Sequence, residues 1–339
     1  MRAIFPIFGA MKILVVRFSS IGDIVLTSPV VRCIKNQLDP VEIHYLTKKA
    51  FEPIVSNNPH VDRVFAIEKS IGEVLETLRA EKYDFLVDLH HNVRTLSLKR
   101  KLGVPSATFS KLHVTKWLLV NFKWNRMPDR HIVERYFDAV KPLNVFNDRL
   151  PCDFFVDPQE EVDTIEKLGL SPKSYIAFAI GAQFATKRMP VSKMVEILQQ
   201  LDRPVVLLGG KGDEATAAAI LEQLPNRQIL DTCGQFSLRG SASIVKQAGV
   251  LLTHDTGLMH IASAYEVPIV SVWGNTVPAF GMYPYFPLQA NGFSVHEVAG
   301  LPCRPCSKIG FQACPKKHFN CMHLQDAAAI AADVNQRGK

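Results

Sequence analysis

KILVVRFSSIGDIVLTSP, residues 12–29, runs from an uninterrupted apolar stretch into two serines, a glycine and a lone carboxylate. Residues 12–17 read as a strand. A strand that is apolar throughout belongs to a parallel sheet covered on both faces. Residues 18–22 are then the turn beyond its carboxyl end. Ser28 and Pro29 suit the N-cap and N1 positions of a longer helix running to about residue 37. That leaves residues 22–27 as a short helical turn carrying Asp23. An aspartate there can cap a helix or act as a base aimed into a crevice. With Ser28 taking the capping role, the expectation is that Asp23 is free.

The same alternation continues outward. Apolar, β-branched runs occur at 42–47, 61–67 and 83–89, then at 175–180, 204–208, 228–230, 250–253 and 268–273. Segments of helical period lie between them, at roughly 71–82, 131–141, 191–201, 213–224, 239–248 and 324–337. Both halves repeat the pattern, which predicts an α/β protein of two doubly wound, Rossmann-like domains facing across a cleft. The 339 residues suit two such domains. The expected boundaries are 11–155 and 156–323, with a linker at 148–158 and a final helix in 324–339.

Bulk properties narrow the class. The chain is 47% hydrophobic and 21% charged, as ordinary globular proteins are. No apolar run approaches the ~18 residues that span a bilayer. The first ten residues read as a non-structural extension or a mis-assigned start rather than a signal peptide. Net charge is +7, yet residues 94–135 alone hold ten Lys/Arg against two acids, and everything else sums to −1. Trp117, Phe122 and Trp124 lie within that segment. Interleaved cations and aromatics suit an anionic surface, or else a helix with a solvated basic face. Seven scattered or clustered cysteines in a chain this long indicate a reducing cytoplasm.

Several strand ends carry candidate chemistry. Gly181 to Pro190 includes Thr186, Lys187 and Arg188 just before a helix start, an anion site suited to a diphosphate. Gly209, Gly210 and Asp213 follow the next strand; glycines allow close backbone approach, and the carboxylate suits ribose hydroxyls or a helix cap. The spacing is neither a Walker A nor GxGxxG. After residue 253, Asp255 or Thr256 caps a helix beginning near Gly257, and His260 one turn on suits a phosphate oxygen. In the first half, Ser20 and Gly22 shape the turn, and His90, Asn92 and Arg94 suit hydrogen bonding to a polar acceptor. Cys303, Cys306, Cys314 and Cys321 are compatible with a metal cluster, a reduced structural cluster or a disulfide. No metal is expected at the site itself.

Together, residues 11–29, Tyr83 to His90, Thr186 to Pro190, Asp255 to His260 and the cysteine-rich tail resemble glycosyltransferase family 9, the lipopolysaccharide heptosyltransferases. The resemblance spans 11–335 and implies a GT-B architecture, with an N-terminal acceptor domain, a C-terminal nucleotide-sugar domain and a last helix crossing back to the first. By matching position it implies Asp23 as general base, Lys187 on the donor diphosphate, and Asp255, Thr256, Gly257 and His260 at the donor. One departure is Met189, where the family usually has tryptophan.

The implied reaction is inverting transfer of a heptose or similar sugar from an ADP-sugar, with no cofactor. The acceptor would be a lipopolysaccharide core or related anionic glycolipid at the inner membrane surface, with a peripheral, cytoplasmic enzyme and no nucleic acid partner. The alternatives are a sugar-nucleotide epimerase or hydrolase of the same fold, and a non-catalytic metal-bearing protein that binds anionic surfaces.

Overall fold

The computed structural model describes residues 10–289 and 291–338. The expectation for the N-terminal extension therefore falls almost wholly outside the described residues. The chain forms two compact units: residues 1–111 with 130–155, and 112–129 with 156–339.

In the first unit, β1 (Met11–Val16), β2 (Val41–Lys48), β3 (Arg63–Ile67), β4 (Phe85–Asp88) and β5 (Ser106–Thr108) make one parallel sheet in the order β3-β2-β1-β4-β5. Leu14 and Val16 enter a core with Phe18, Leu46, Phe65 and Leu86, while Ile13 and Val15 are buried on the opposite face. Both faces are covered, which is why the strand shows no alternation. The helix Ser28–Gln37 starts one residue differently from expectation. Thr27 is its N-cap, and the Ser28 hydroxyl instead donates to Val25 O at 2.7 Å and accepts from Asp153 N at 2.7 Å.

The second unit repeats the arrangement with β6 (Ile176–Ala179), β7 (Val205–Leu208), β8 (Ile229–Asp231), β9 (Val250–His254), β10 (Ile269–Trp273) and β11 (Phe293–Glu297). Their order is β11-β10-β9-β6-β7-β8, and all are parallel. Ile176 and Phe178 face one core, and Tyr175, Ala177 and Ala179 face the other. Each sheet reverses its winding once, between β1 and β4 and between β6 and β9. In such sheets ligands bind beyond the carboxyl ends of the two strands flanking that reversal.

Three expectations about organisation change. The segment Leu112–Asp129 packs with the second unit rather than the first. The stretch 148–153 is not a loose linker. Arg32 donates to Asp148 at 2.8 Å and to Asp153, binding the stretch to the helix Ser28–Gln37. The final helix, Ala327–Arg337, is built into the second unit, where Ile330, Ala331 and Val334 join the core around Ile176 and Met194. An apolar face completing that core decides its place.

Glu42, His44 and Glu81 bring three potential metal ligands within 4.8 Å. Lys12 Nζ already lies 3.3 Å from Glu42 and 2.7 Å from Glu81, so an ammonium supplies the positive charge there.

Ile330→Ala is expected to cost the second unit about 2–5 kcal/mol. All three tryptophans belong to that unit, so its denaturant midpoint followed by tryptophan fluorescence should fall. An unmoved midpoint would show that the helix contributes nothing to this core.

Candidate active site

In the first unit the switch-point residues come from the ends of β1 and β4. Arg17, directly after β1, is buried. Its Nε donates to Ser19 O at 2.7 Å, and its Nη1 donates to Leu89 O, just past β4, at 2.5 Å. Its Nη2 lies 2.5 Å from Asp23 Oδ1. Burial is the largest single influence and works to lower the Arg17 pKa, but the Asp23 charge together with Tyr136 and Tyr45 outweighs it and the net shift is upward. Asp23 Oδ1 also accepts from the Tyr136 hydroxyl at 3.4 Å. Burial pushes the Tyr136 phenol well up, so it remains a protonated donor. Asp23 Oδ2 accepts from Ser20 N at 3.2 Å and Ser20 Oγ at 2.8 Å.

Asp23 is therefore not free. It closes a capping box on the helix Ile21–Val25, whose first N–H groups have no partner within the helix. The longer helix could not relieve it, because that helix begins seven residues later. Capping and chemistry are compatible, however. The Asp23 side chain keeps 23% exposure while Arg17 has 8%, so a carboxylate edge reaches solvent from a buried cationic support.

The neighbouring loop sorts the other first-unit candidates. His90 packs edge-on against Phe18, with ring centroids 5.1 Å apart. Burial, then the charges of Arg17 and Lys111, push its pKa down to about 4. A neutral imidazole thus stands beside the Arg17–Asp23 pair, and its Nδ1 has no hydrogen-bond partner. Asn92 serves as N-cap of the helix Val93–Leu102, its Oδ1 accepting from Thr95 N at 3.0 Å. Arg94 is exposed in that helix's first turn, and Gly22 is buried within the short helix.

In the second unit, Lys187 follows β6 and Asp255 follows β9, so their ion pair bridges the switch point at 2.6 Å. Asp255 Oδ2 also accepts from Thr276 Oγ1 at 2.9 Å. An ammonium has three donors. The carboxylate takes one, the Asp255 carbonyl at 3.4 Å takes a second, and one is left over. Thr256 is N-cap of the helix Gly257–Ala264 and makes no side-chain capping bond. The helix's leading N–H groups, starting at Gly257, therefore remain available to an anion.

Other second-unit candidates are differently employed. Thr186 is buried and clasps Phe311, accepting from its N–H at 2.8 Å and donating to its carbonyl at 3.1 Å. His260 is only 2% exposed, one turn inside its helix, rather than lining an open end. Asp213 caps locally, accepting from Gly210 N at 2.9 Å, and it faces Arg188 at 3.5 Å. The close approach belongs to other glycines. A Cβ on Gly181 would fall 2.2 Å from Asp213 Oδ2, and one on Gly209 would fall 2.7 Å from Asp213 Cβ, whereas Gly210 has room. Met189 sits in the core, and its N–H is taken by His254 Nε2 at 3.0 Å, which fixes the lysine loop on β9. The four clustered cysteines do not bring any three sulfurs within 4.8 Å of one another among the described residues.

Sequence reading missed Arg17, Tyr136, His254, Asn275 and Thr276. Arg17 carried a signal, a cation ending an otherwise apolar strand just before a carboxylate. Asn275 is 1% exposed with neither amide atom partnered, beside Thr276.

Two α/β units with chemistry at each switch point define the GT-B class of glycosyltransferase. The model for glycosyltransferase family 9 (heptosyltransferase) matches residues 71–310, and the chain belongs to that family. Lipopolysaccharide heptosyltransferase 1 of Pseudomonas aeruginosa is 25% identical over 323 residues, covering 88% of this chain and 86% of that protein. Among solved structures, the Escherichia coli ADP-heptose lipopolysaccharide heptosyltransferase II has a TM-score of 0.68 at 22% identity, over 97% of this chain and all of that one. An Escherichia coli heptosyltransferase solved with ADP has a TM-score of 0.62 at 22% identity, over 79% and 89% of the two chains.

Burial pushes His254, like His90, down to about 4. Unfolded histidines titrate near 6.5. Between those values the unfolded chain binds protons that the folded chain does not. The contribution is therefore complete above about pH 6.5 and lost as pH falls toward 4. Thermal midpoints are expected to drop from pH 7 to pH 5, and His90→Gln should flatten part of that slope.

Proposed function

We propose that the protein transfers a heptose, or a closely similar sugar, from an ADP-sugar to a lipopolysaccharide core or related anionic glycolipid, with inversion at the transferred carbon. The observation that carries this reading is the Asp23 carboxylate, paired with buried Arg17 at 2.5 Å yet open to solvent at one edge. The related proteins named for this activity, and one solved with ADP, support the choice of sugar and nucleotide.

In the proposed reaction the acceptor hydroxyl attacks the anomeric carbon. Its proton passes to a carboxylate oxygen of Asp23. The bond from the anomeric carbon to the diphosphate oxygen breaks, and its electron pair leaves with ADP through an oxocarbenium-like transition state. Negative charge grows on the diphosphate. The remaining Lys187 donor and the open helix terminus at Gly257 stabilise it. Asp255 and Thr276 hold Lys187 in place. His90, neutral with its Nδ1 unengaged, orients the acceptor by hydrogen bonding, and Arg94 suits an acceptor phosphate or carboxylate. Residues 94–135 favour an anionic acceptor, and we place the enzyme in the cytoplasm, peripheral to the inner membrane.

Asp23→Asn is expected to lower kcat by about 10²–10⁴ with ADP affinity near wild type, and to lower the thermal midpoint because buried Arg17 loses its countercharge. Full transfer by the folded variant would remove Asp23 as base. Consumption of donor with no acceptor present would instead favour a hydrolase. Lys187→Ala is expected to weaken ADP binding by about 1.5–3 kcal/mol, read by calorimetry, with a matching rise in donor KM.

A further inference from the structure

The helix His113–Phe122 and the residues after it present apolar rings to solvent. Trp117 is 52% exposed, Phe122 52%, Trp124 62%, and Val114 71%. The rings form one continuous patch. Trp117 and Phe122 have centroids 5.2 Å apart, and Phe122 and Trp124 5.6 Å. Large aromatics displayed together on a surface mark an interaction site.

The patch is held rather than loose. Leu119 is buried and anchors the helix. Asn121 Nδ2 donates to Trp117 O at 2.9 Å. Lys123 takes the left-handed conformation that ends the helix, and its Nζ donates to Val120 O at 2.6 Å and Pro305 O at 2.7 Å. That strut fastens the patch to the loop at Cys303 and leaves Phe122 and Trp124 pointing away from any core.

Charge selects the occupant. The ring-bearing segment 112–128 contains three Lys/Arg and no Asp or Glu. Lys116, Lys123 and Arg126 belong to the same element as the exposed rings. Lys123 is the strut and Lys116 lies 5.8 Å over the Phe280 ring, while Arg126 is exposed two residues beyond Trp124. Exposed tryptophan and phenylalanine on a segment of net positive charge match the headgroup layer of an anionic bilayer, where indoles seat at the interface and cations meet lipid phosphates. Among the described residues no helix is long and apolar enough to cross a membrane.

We propose that Trp117, Phe122 and Trp124 insert into the interface of an anionic lipid bilayer, and that this element docks the second unit on the membrane. The inference deepens the peripheral-membrane part of the proposed function and is independent of the transfer chemistry.

The protein supplies its own reporter. Of its three tryptophans only Trp273 is buried, at 1% exposure, so a change in emission on adding lipid reads Trp117 and Trp124. The full chain is mixed with phosphatidylcholine vesicles, with and without phosphatidylglycerol, carrying brominated acyl chains. A blue shift and bromine quenching are expected with the anionic vesicles, weakening as salt is added. Co-sedimentation of a W117S/F122S/W124S variant should fall at least about tenfold, with ADP affinity and thermal midpoint unchanged. Single variants report the same quantity if the triple fails to fold. If wild type ignores anionic vesicles, the membrane reading falls with the proposal. If wild type binds and the variants bind equally well, or the rings are never quenched, the insertion element alone is overturned. A change in oligomeric state with lipid binding unaltered would assign the patch to a second copy and likewise overturn it.

Discussion

The buried guanidinium of Arg17 organises the first unit's end. One side chain reaches the turn after β1, the carbonyl after β4 and the carboxylate of Asp23. A buried cation needs both charge compensation and a full set of acceptors. Here the acceptors are spread over three separate pieces of chain. Satisfying Arg17 therefore fixes the two strand ends, the turn and the short helix relative to one another. Asp23 supplies the countercharge, and Ser20 and Tyr136 restrict the orientation of its carboxylate. The same arrangement that stabilises the turn also presents an anion at the place where an open parallel sheet binds ligands.

The second unit solves a related problem with opposite polarity. Its switch-point cation is Lys187, and the carboxylate of Asp255 is the support. The helix Gly257–Ala264 adds the positive end of its dipole at the same switch point. His254 pins the lysine loop through the Met189 N–H, and Asp213 fills the space left by two glycines. One unit thus ends in a supported carboxylate and the other in a supported cation. The proposed transfer from a diphosphate to a hydroxyl would use both.

The segment Leu112–Asp129 separates sequence order from structural membership. It lies within the stretch of chain that builds the first unit, yet it groups with the second, fastened there by the Lys123 strut. Its aromatic rings are absorbed by neither core. The basic run around it is continuous in sequence but divides between the two units. A charge count along the chain therefore describes no single surface.

The central strands were readable because both faces of a parallel sheet are buried, so strands such as Ile176–Ala179 and Val205–Leu208 are apolar from end to end. The helices were readable where their apolar faces complete those cores. The short strands Ser106–Thr108 and Phe293–Glu297 escaped notice. Each is an edge strand, only partly buried and without that apolar signature. Asp23, Lys187 and Asp255 were legible as polar residues just past strand ends. Their partners were not, because Tyr136 stands 113 residues from Asp23 and Asp255 stands 68 from Lys187. For the same reason the sequence could not show that Thr186 is spent on Phe311 or that His260 is buried. Local pattern reports which face of an element must be covered. Whether a polar side chain is left for chemistry depends on which distant donors and acceptors the fold brings against it, and that only the tertiary structure decides.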